Sequence, residues 1–361
     1  MKLYYITRVN IPSQAAQSIQ ISSMCEAFNN EKIEFKLIST LNRENINLQK
    51  NFNWDKIKLV TRFKYLEFVV KSFFRVLKEK PTHIFTRDIV VGFLLSFLNV
   101  KVAYEAHKEP KTKTAHIMIK LLKNKKNFKL ITISNALKKY YIKEYDYLDK
   151  KIFDYHDAVF IEKYDIYRKI SKKDLRKELG LPLEKTIVTH TGSLYKGNDA
   201  LLFENVIKNF PNLLFVQVGG NEQNIQKYKD YYSNYKNIIF VGHQNNETLI
   251  KYQISSDLLF YALTKSNELW WCTSPLKIFE YMATGIPILS SNIGSVSEVL
   301  NITNSIPFNP DNEQSIIDGV ELFLQNKEII NLKAKKALQD IKEKYTWKKR
   351  VNEIVNALKS F

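Results

Sequence analysis

Short apolar runs rich in valine, isoleucine and phenylalanine alternate with longer amphipathic stretches almost from end to end of this chain. That alternation constrains the fold more than any other feature. Strands buried on both faces read as near-continuous apolar runs, and parallel neighbours need a crossover, usually a helix, between them. In the first half, strands are predicted at residues 3–7, 34–39, 83–85, 101–104 and 130–133, with helices over 15–29, 64–80, 89–98, 114–123 and 136–144. The pattern then restarts, with strands at 186–190, 214–218, 237–241, 258–261 and 287–289 and helices over 198–209, 225–235, 247–255, 276–284 and 296–300. Two such runs predict an α/β protein of two doubly wound domains, and 361 residues is the length for it at roughly 150 per domain. Residues 162–185, charged and without strand periodicity, read as the linker, and 313–361 as mostly helical.

Composition removes several classes. With 45% hydrophobic and 13% aromatic residues the chain is globular, neither disordered nor low-complexity. Cys25 and Cys272 cannot by themselves build a disulfide framework or a cysteine zinc site, and they fit a reducing compartment. The most apolar stretch, 89–98, falls short of the roughly 20 residues a bilayer-crossing helix needs. Residues 1–8 read as a buried strand rather than a signal peptide, so the expected location is cytoplasmic, or peripheral on the inner face of the cytoplasmic membrane. The net charge is +18, and the first 165 residues hold 30 basic and 17 acidic side chains against 25 and 20 in the remainder. Only eight of the 55 basic residues are arginine. Two readings stand: the lysine-rich usage of an AT-rich genome, or a negatively charged partner such as anionic lipid, a pyrophosphate-linked lipid or nucleic acid.

Motifs narrow the chemistry. The chain has no G-x-G-x-x-G, P-loop, Asp-x-Asp, H-E-x-x-H or G-x-S-x-G, so a dinucleotide cofactor, a metal centre and a serine nucleophile all lack their signatures. No cofactor and no metal are expected. In 186–199 a strand runs into Gly192-Ser193, then Lys196-Gly197 precedes a helix. Phosphate binding asks for this arrangement: a glycine that lets backbone approach, amides at a helix start, and a cation; an ordinary turn with a surface lysine is the alternative. In 274–287, Ser274 is placed to cap a helix with Pro275 at its first position. Lys277 and Glu280 share a face, and a cation in the first turn opposes the helix dipole and calls for a nearby anion. Gly219-Gly220 and Val241-Gly242-His243 follow strands at the edge where α/β sheets open a ligand crevice. In the first half, Arg8 to Gln14, Thr86-Arg87-Asp88 and Tyr104-Glu105-Ala106-His107 fall at the same kind of edge. Residues 63–80 interleave aromatic and aliphatic side chains with Lys64, Lys71, Arg75, Lys78 and Lys80. That pattern suits either a membrane interface or an ordinary helix packing its aromatics on the core.

Together these residues resemble a retaining glycosyltransferase of the GT-B fold, family 4 type (glycosyl transferases group 1). The resemblance is most specific over Gly192–Lys196-Gly197 and 274–287, and weaker at Ser18-Ile19-Gln20, 104–107, 132–134, 157–159, Gly219-Gly220, 241–243, Ser256-Asp257 and Trp347. It implies two Rossmann-like domains facing across a cleft, an acceptor-binding domain of residues 1–165 completed by a terminal helix 346–361, and a nucleotide-sugar donor domain of 166–345. It also implies that Lys196 and the loop of Ser274, Pro275, Leu276 and Lys277 bind the donor diphosphate beside Gly192 and Ser193. By the same resemblance Glu280 takes the ribose hydroxyls, and Gly219, Gly220, Gly242 and His243 flank the base. His107 approaches the transferred sugar, so His107, Lys196 and Glu280 form the catalytic set. Arg8, Asn10, Ser13, Gln14 and Arg87 face the acceptor. Three positions depart from the family pattern: Cys272 where a glutamate is usual, Ser193 where an arginine is usual, and Ala15-Ala16 where a glycine pair is usual.

The expectation is therefore a metal-independent transferase moving a sugar from a nucleoside diphosphate to a glycan or lipid-linked acceptor in bacterial surface polysaccharide assembly. Contact with an anionic membrane, and none with nucleic acid, go with it. The rival readings are a GT-B sugar-nucleotide epimerase, which needs no acceptor, and a catalytically degenerate sugar-nucleotide binder.

Overall fold

The computed structural model describes residues 1–11, 13, 15–41, 52–194 and 202–361, and these form two compact units. One is Met1–Asp157 with Trp347–Phe361; the other is Ala158–Thr346. Among the described residues, both are built on parallel sheets.

The first unit contains β1 (Leu3–Ile11), α1 (Ala16–Asn30), β2 (Phe35–Leu41), β3 (Trp54–Ile57), α2 (Lys64–Glu79), β4 (His83–Thr86) and α3 (Ile89–Leu95). It continues through β5 (Lys101–Ala106), α4 (Lys113–Leu122), β6 (Phe128–Thr132), α5 (Asn135–Tyr145) and β7 (Ile152–Asp154). Its seven strands lie in the order β3-β2-β1-β4-β5-β6-β7. The order reverses between β1 and β4, and a crevice opens at such a switch beyond the carboxyl ends of the strands.

The second unit runs α6 (Ile161–Tyr167), α7 (Lys172–Glu178), β8 (Ile187–Thr191), α8 (Leu202–Asn209), β9 (Leu214–Val218), α9 (Glu222–Tyr231) and β10 (Ile238–Gly242). There follow α10 (Asn246–Ser255), β11 (Leu258–Tyr261), α11 (Leu276–Thr284), β12 (Ile288–Ser291), α12 (Val296–Val299), β13 (Ile306–Phe308), α13 (Glu313–Gln325) and α14 (Lys327–Lys344). The strand order is β10-β9-β8-β11-β12-β13, with its switch between β8 and β11. The last helix, α15 (Trp347–Lys359), belongs to the first unit and packs on α1 and β5, burying Trp347, Val351, Ile354 and Leu358.

Three strands escape the apolar-run reading: β3, β7 and β13, of four, three and three residues. All three are sheet edges. A short edge strand pairs on one side only and needs no continuous apolar run, so its sequence carries little signal. The unit boundary falls between 157 and 158 rather than 165 and 166. The amide of Val159 donates to the carbonyl of Tyr345 (3.0 Å) and Tyr164 is buried against the second unit's core. Residues 162–185 are accordingly no linker: α6 and α7 pack on α10, and buried Arg176 of α7 donates to the Ser255 carbonyl (2.9 Å) and the Asp257 carboxylate (2.6 Å). The helix cap also differs: α11 starts at Leu276 with Pro275, ψ 126°, as the residue before it, so Ser274 stands one position too early to cap.

Charge divides sharply along this boundary. The first unit holds 33 basic and 16 acidic residues, the second 22 and 21, so nearly all of the +18 sits on the first.

Candidate active site

In the second unit the turns after β8, β9 and β10 come together at the carboxyl edge of the sheet. Gly192 (φ 132°) donates its amide to the Val218 carbonyl at 2.8 Å, and Gly219 (φ 102°) donates to that of Gly242 at 2.6 Å. A Cβ on Gly219 would stand 2.7 Å from the Gly192 carbonyl oxygen, so neither the left-handed backbone nor the space admits another residue. Gly220, Asn221, Ile225, Phe240, Val241, Gly242 and His243 line an open recess of about 710 Å³ beside these turns. Lys196, whose role rests on the resemblance, lies outside the described residues; Ser193 is described and half-buried at the turn.

α11 delivers the charged groups. Lys277 rises from its first turn onto Gly192, where an added Cβ would lie 2.4 Å from Nζ, and the Ile278 amide of the same turn closes on the Pro275 carbonyl at 3.2 Å. Nζ meets Nε2 of His190 at 3.3 Å. Burial pulls the Lys277 ammonium down to about 8, with Glu280 opposing the shift. Burial, and then the neighbouring Lys277, holds the His190 imidazole well below its usual range, so His190 is neutral. Glu280, one turn on, accepts from Nε2 of Gln253 at 3.5 Å, and burial raises its pKa against the pull of Lys277 and Gln253. The same Gln253 amide donates to Thr191 Oγ1 at 3.3 Å while its oxygen accepts from the Tyr164 hydroxyl at 3.3 Å. Ser274 is buried just ahead of the helix. Gly192, Ser193, Gly219, Gly220, Gly242, Pro275, Leu276, Lys277 and Glu280 thus gather at one sheet edge of this unit, with His243 exposed on the rim of the recess.

The first unit gathers a different group at the carboxyl end of β5. Glu105, fully buried, accepts from Arg350 of α15 at 2.5 Å and from Nε2 of His107 at 2.8 Å, and lies 3.9 Å from Arg87 Nε. Arg350 also approaches Asp157 (3.5 Å) and donates to the His156 carbonyl (2.7 Å). Gln20 donates to Asp157 at 2.9 Å and accepts from Arg87. Burial alone would raise the Glu105 carboxyl, but Arg350, then His107 and Arg87, hold it at about 2. His107 is lowered by burial and Arg87 against the pull of Glu105 and Asp157, so it is a neutral imidazole with Nε2–H on the carboxylate.

Arg87, expected to face an acceptor, is instead spent inside this network: its side chain is 7% exposed and bonded to Gln20. Arg8 and Asn10 are exposed at the end of β1, with Arg8 stacked on the Tyr65 ring at 4.6 Å, and Ser13 donates its amide to Ser18 Oγ at 2.9 Å. Gln14 lies outside the described residues. Sequence reasoning missed His190, Gln217, Gln253 and Arg350. The first three could have been found as polar residues inside otherwise apolar segments; Arg350 follows Lys348 and Lys349 in a basic run and carried no such mark.

Comparisons with known proteins bear on the fold and on the second unit. Residues 171–345 match the family model of glycosyl transferases group 1. The UDP-Gal:alpha-D-GlcNAc-diphosphoundecaprenol alpha-1,3-galactosyltransferase of Escherichia coli is 27% identical over 265 residues, 70% of this chain and 65% of that protein, so the match leaves about a third of the relative uncovered. Two solved structures superpose on nearly the whole chain. A glycosyltransferase from Rickettsia africae has TM-score 0.81 at 14% identity, covering 99% of this chain and 98% of that one. Anabaena Alr3699/HepE, solved in complex with UDP, has TM-score 0.80 at 14% identity with full coverage of both. The family match thus covers residues 171–345, and over its whole length the chain has the fold of these solved glycosyltransferase structures.

Proposed function

We propose that the chain transfers a glycosyl group from a nucleoside diphosphate sugar, a uridine diphosphate sugar being the first to test, to a glycan or lipid-linked acceptor in bacterial surface polysaccharide assembly. One observation carries the reading: Lys277 stands in the first turn of a helix, against a glycine turn, and its hydrogen-bond partner is a neutral imidazole. A cation so placed pays both desolvation and helix-dipole costs, and an arriving diphosphate removes both. In the transfer the bond from the anomeric carbon to the β-phosphate oxygen breaks and a bond to the acceptor hydroxyl oxygen forms, with the hydroxyl proton released. Negative charge grows on the departing diphosphate. Lys277, the α11 amides and, by the resemblance, Lys196 are the groups to stabilise it. Glu280 is assigned to the ribose hydroxyls, the recess at Gly242 and His243 to the base, and His107 to the sugar. Retention and metal independence complete the proposal. Anomeric analysis of the product by NMR tests the first, and unchanged turnover in EDTA tests the second.

Replacement of Lys196 or Glu280 by alanine is expected to abolish transfer from the donor while leaving the melting curve nearly unchanged. Normal turnover in either variant would defeat the site assignment.

The acceptor side is assigned to the first unit, and α2 supports a membrane-bound acceptor. The helix buries Phe68, Val69, Ser72 and Val76, yet Phe63 ahead of it and Leu66, Val70, Phe74 and Leu77 on it form a second apolar stripe that is exposed. Lys64, Lys71, Arg75 and Lys78 run alongside, and Tyr65 ties the start of α2 to Arg8 at the end of β1. A stripe of this kind on a unit with 33 basic and 16 acidic residues suits the surface of an anionic bilayer. Among the described residues no helix is long and apolar enough to cross a membrane. Salt-sensitive co-sedimentation with phosphatidylglycerol vesicles is expected, and its absence would remove this part of the reading.

A further inference from the structure

The second sheet contains a polar pair where the core should be apolar. His190 of β8 and Gln217 of β9 are register partners on two adjacent inner strands, and both are fully buried. An imidazole and an amide in such a place cost free energy unless every polar atom is bonded. Their bonds form a chain with a direction. The Gln217 amide nitrogen donates to the carbonyls of Gly192 (3.0 Å) and Val218 (3.2 Å), and carbonyls only accept. The amide oxygen therefore faces His190 Nδ1 at 2.7 Å, and Nδ1 must carry the proton. A neutral imidazole protonated at Nδ1 has its lone pair at Nε2, the atom that meets Lys277 Nζ at 3.3 Å. Packing of the ring on Phe203, centroids 4.7 Å apart, fixes the imidazole plane.

We infer that Gln217 and His190 are positioning residues for the nucleoside diphosphate: Gln217 fixes the tautomer of His190, and Nε2 of His190 holds the Lys277 ammonium over the Gly192 turn. The inference rests on the proposal that Lys277 binds the diphosphate. The same Gln217 amide that sets the tautomer also bonds the Gly192 carbonyl, so turn and lysine are aligned by one side chain. This gives the buried pair a purpose that packing alone does not.

The test uses the full chain, with UDP and uridine as probes in calorimetric titrations. His190→Phe keeps a ring of similar shape and removes the acceptor. It is expected to weaken UDP binding roughly tenfold or more, the scale of a hydrogen bond to a charged group, with uridine binding unchanged. His190→Gln, which can present an amide oxygen near the Nε2 position, is expected to restore most of the loss, and Gln217→Leu to lose less than His190→Phe. Wild-type affinity for UDP in His190→Phe, while Lys277→Met loses it, would overturn the positioning role and leave the diphosphate reading standing. Retained UDP affinity in Lys277→Met would overturn both. Long-range proton–nitrogen NMR of the unsubstituted protein decides even where a variant fails to fold. A proton on Nδ1 with Nε2 bare supports the inference, and a proton on Nε2 contradicts it.

Discussion

The two units each bury a charged centre at the carboxyl edge of a parallel sheet, and they treat it in opposite ways. In the first, Arg350 and Arg87 meet the Glu105 carboxylate at 2.5 and 3.9 Å and Arg350 meets Asp157 at 3.5 Å, with His107 and Gln20 as neutral donors to the same two carboxylates. In the second, Lys277 has a neutral histidine as its hydrogen-bond partner and a glycine turn beneath it, with Glu280 one helical turn on acting on it through space. A charge matched inside the protein serves the fold, in this case the attachment of α15 to β5. A lysine whose hydrogen-bond partner is neutral keeps donors for an anion, which is the role proposed for Lys277. The contrast separates a cluster that holds His107 from a site proposed to take an anionic ligand, although both consist of buried ionisable residues beside glycine-poor or glycine-rich turns.

The comparison can be broken most decisively at Arg350. Its replacement by alanine leaves Glu105 and Asp157 buried without their main counter-charge, and should cost about 3–5 kcal/mol, read from chemical denaturation. A double replacement, Arg350→Met with Glu105→Gln, should cost less, since of the two carboxylates only Asp157, still bonded to Gln20, keeps an uncompensated charge. Equal losses would mean that packing of α15, not charge, is what Arg350 supplies. Lys277→Met should do the reverse: stability unchanged or raised by about 1 kcal/mol or more, because a desolvated ammonium has gone, with UDP affinity lost.

Acid and alkali sharpen the same contrast. Glu105 is held at about 2, below its ordinary value of 4.5, so its contribution is complete above 4.5 and lost as pH falls from there toward 2. Lys277 is depressed to about 8, so the unfolded chain binds the extra proton between about 8 and 10.5, and stability rises with pH across that window. Diphosphate affinity should fall across the same window as the ammonium is neutralised. Lys277→Met should abolish the alkaline gain and leave the acid loss intact in denaturation curves measured from pH 3 to 10. The smallest effect on folding belongs to α2. Serine at Phe63, Leu66 and Phe74 should weaken vesicle binding severalfold while changing stability by no more than about 0.5 kcal/mol per site, as expected of exposed positions.

Much of this architecture was legible because buried parallel strands advertise themselves. β9, β11 and α11 fall on their predicted residues, and the strands that escaped are the short edges β3, β7 and β13. The glycine turns were legible too, since positive φ at Gly192, Gly219 and Gly242 leaves little choice of residue. What stayed hidden depends on contacts between distant segments. Ser18-Ile19-Gln20, 104–107 and 157–159 each looked weak, and only folding shows Gln20, Glu105, His107 and Asp157 in one network, with Arg350 arriving from some 190 residues beyond Asp157. His190 lay in plain view inside the Gly192 motif, but its meaning comes from Gln217, which is a neighbour only through strand pairing. The 158–165 segment read as the end of a domain for the same reason: its partners, Tyr345 and Gln253, are far along the chain.

The central claim is that the second unit holds an unfinished anion site built on Lys277. Calorimetric titration of the protein and of Lys277→Met with UDP and uridine, at pH 7 and pH 9, tests it directly. The expected result is UDP binding at pH 7 that weakens at pH 9 and disappears in the variant, with uridine binding indifferent to both changes. UDP affinity that ignores both the substitution and the pH would contradict the claim.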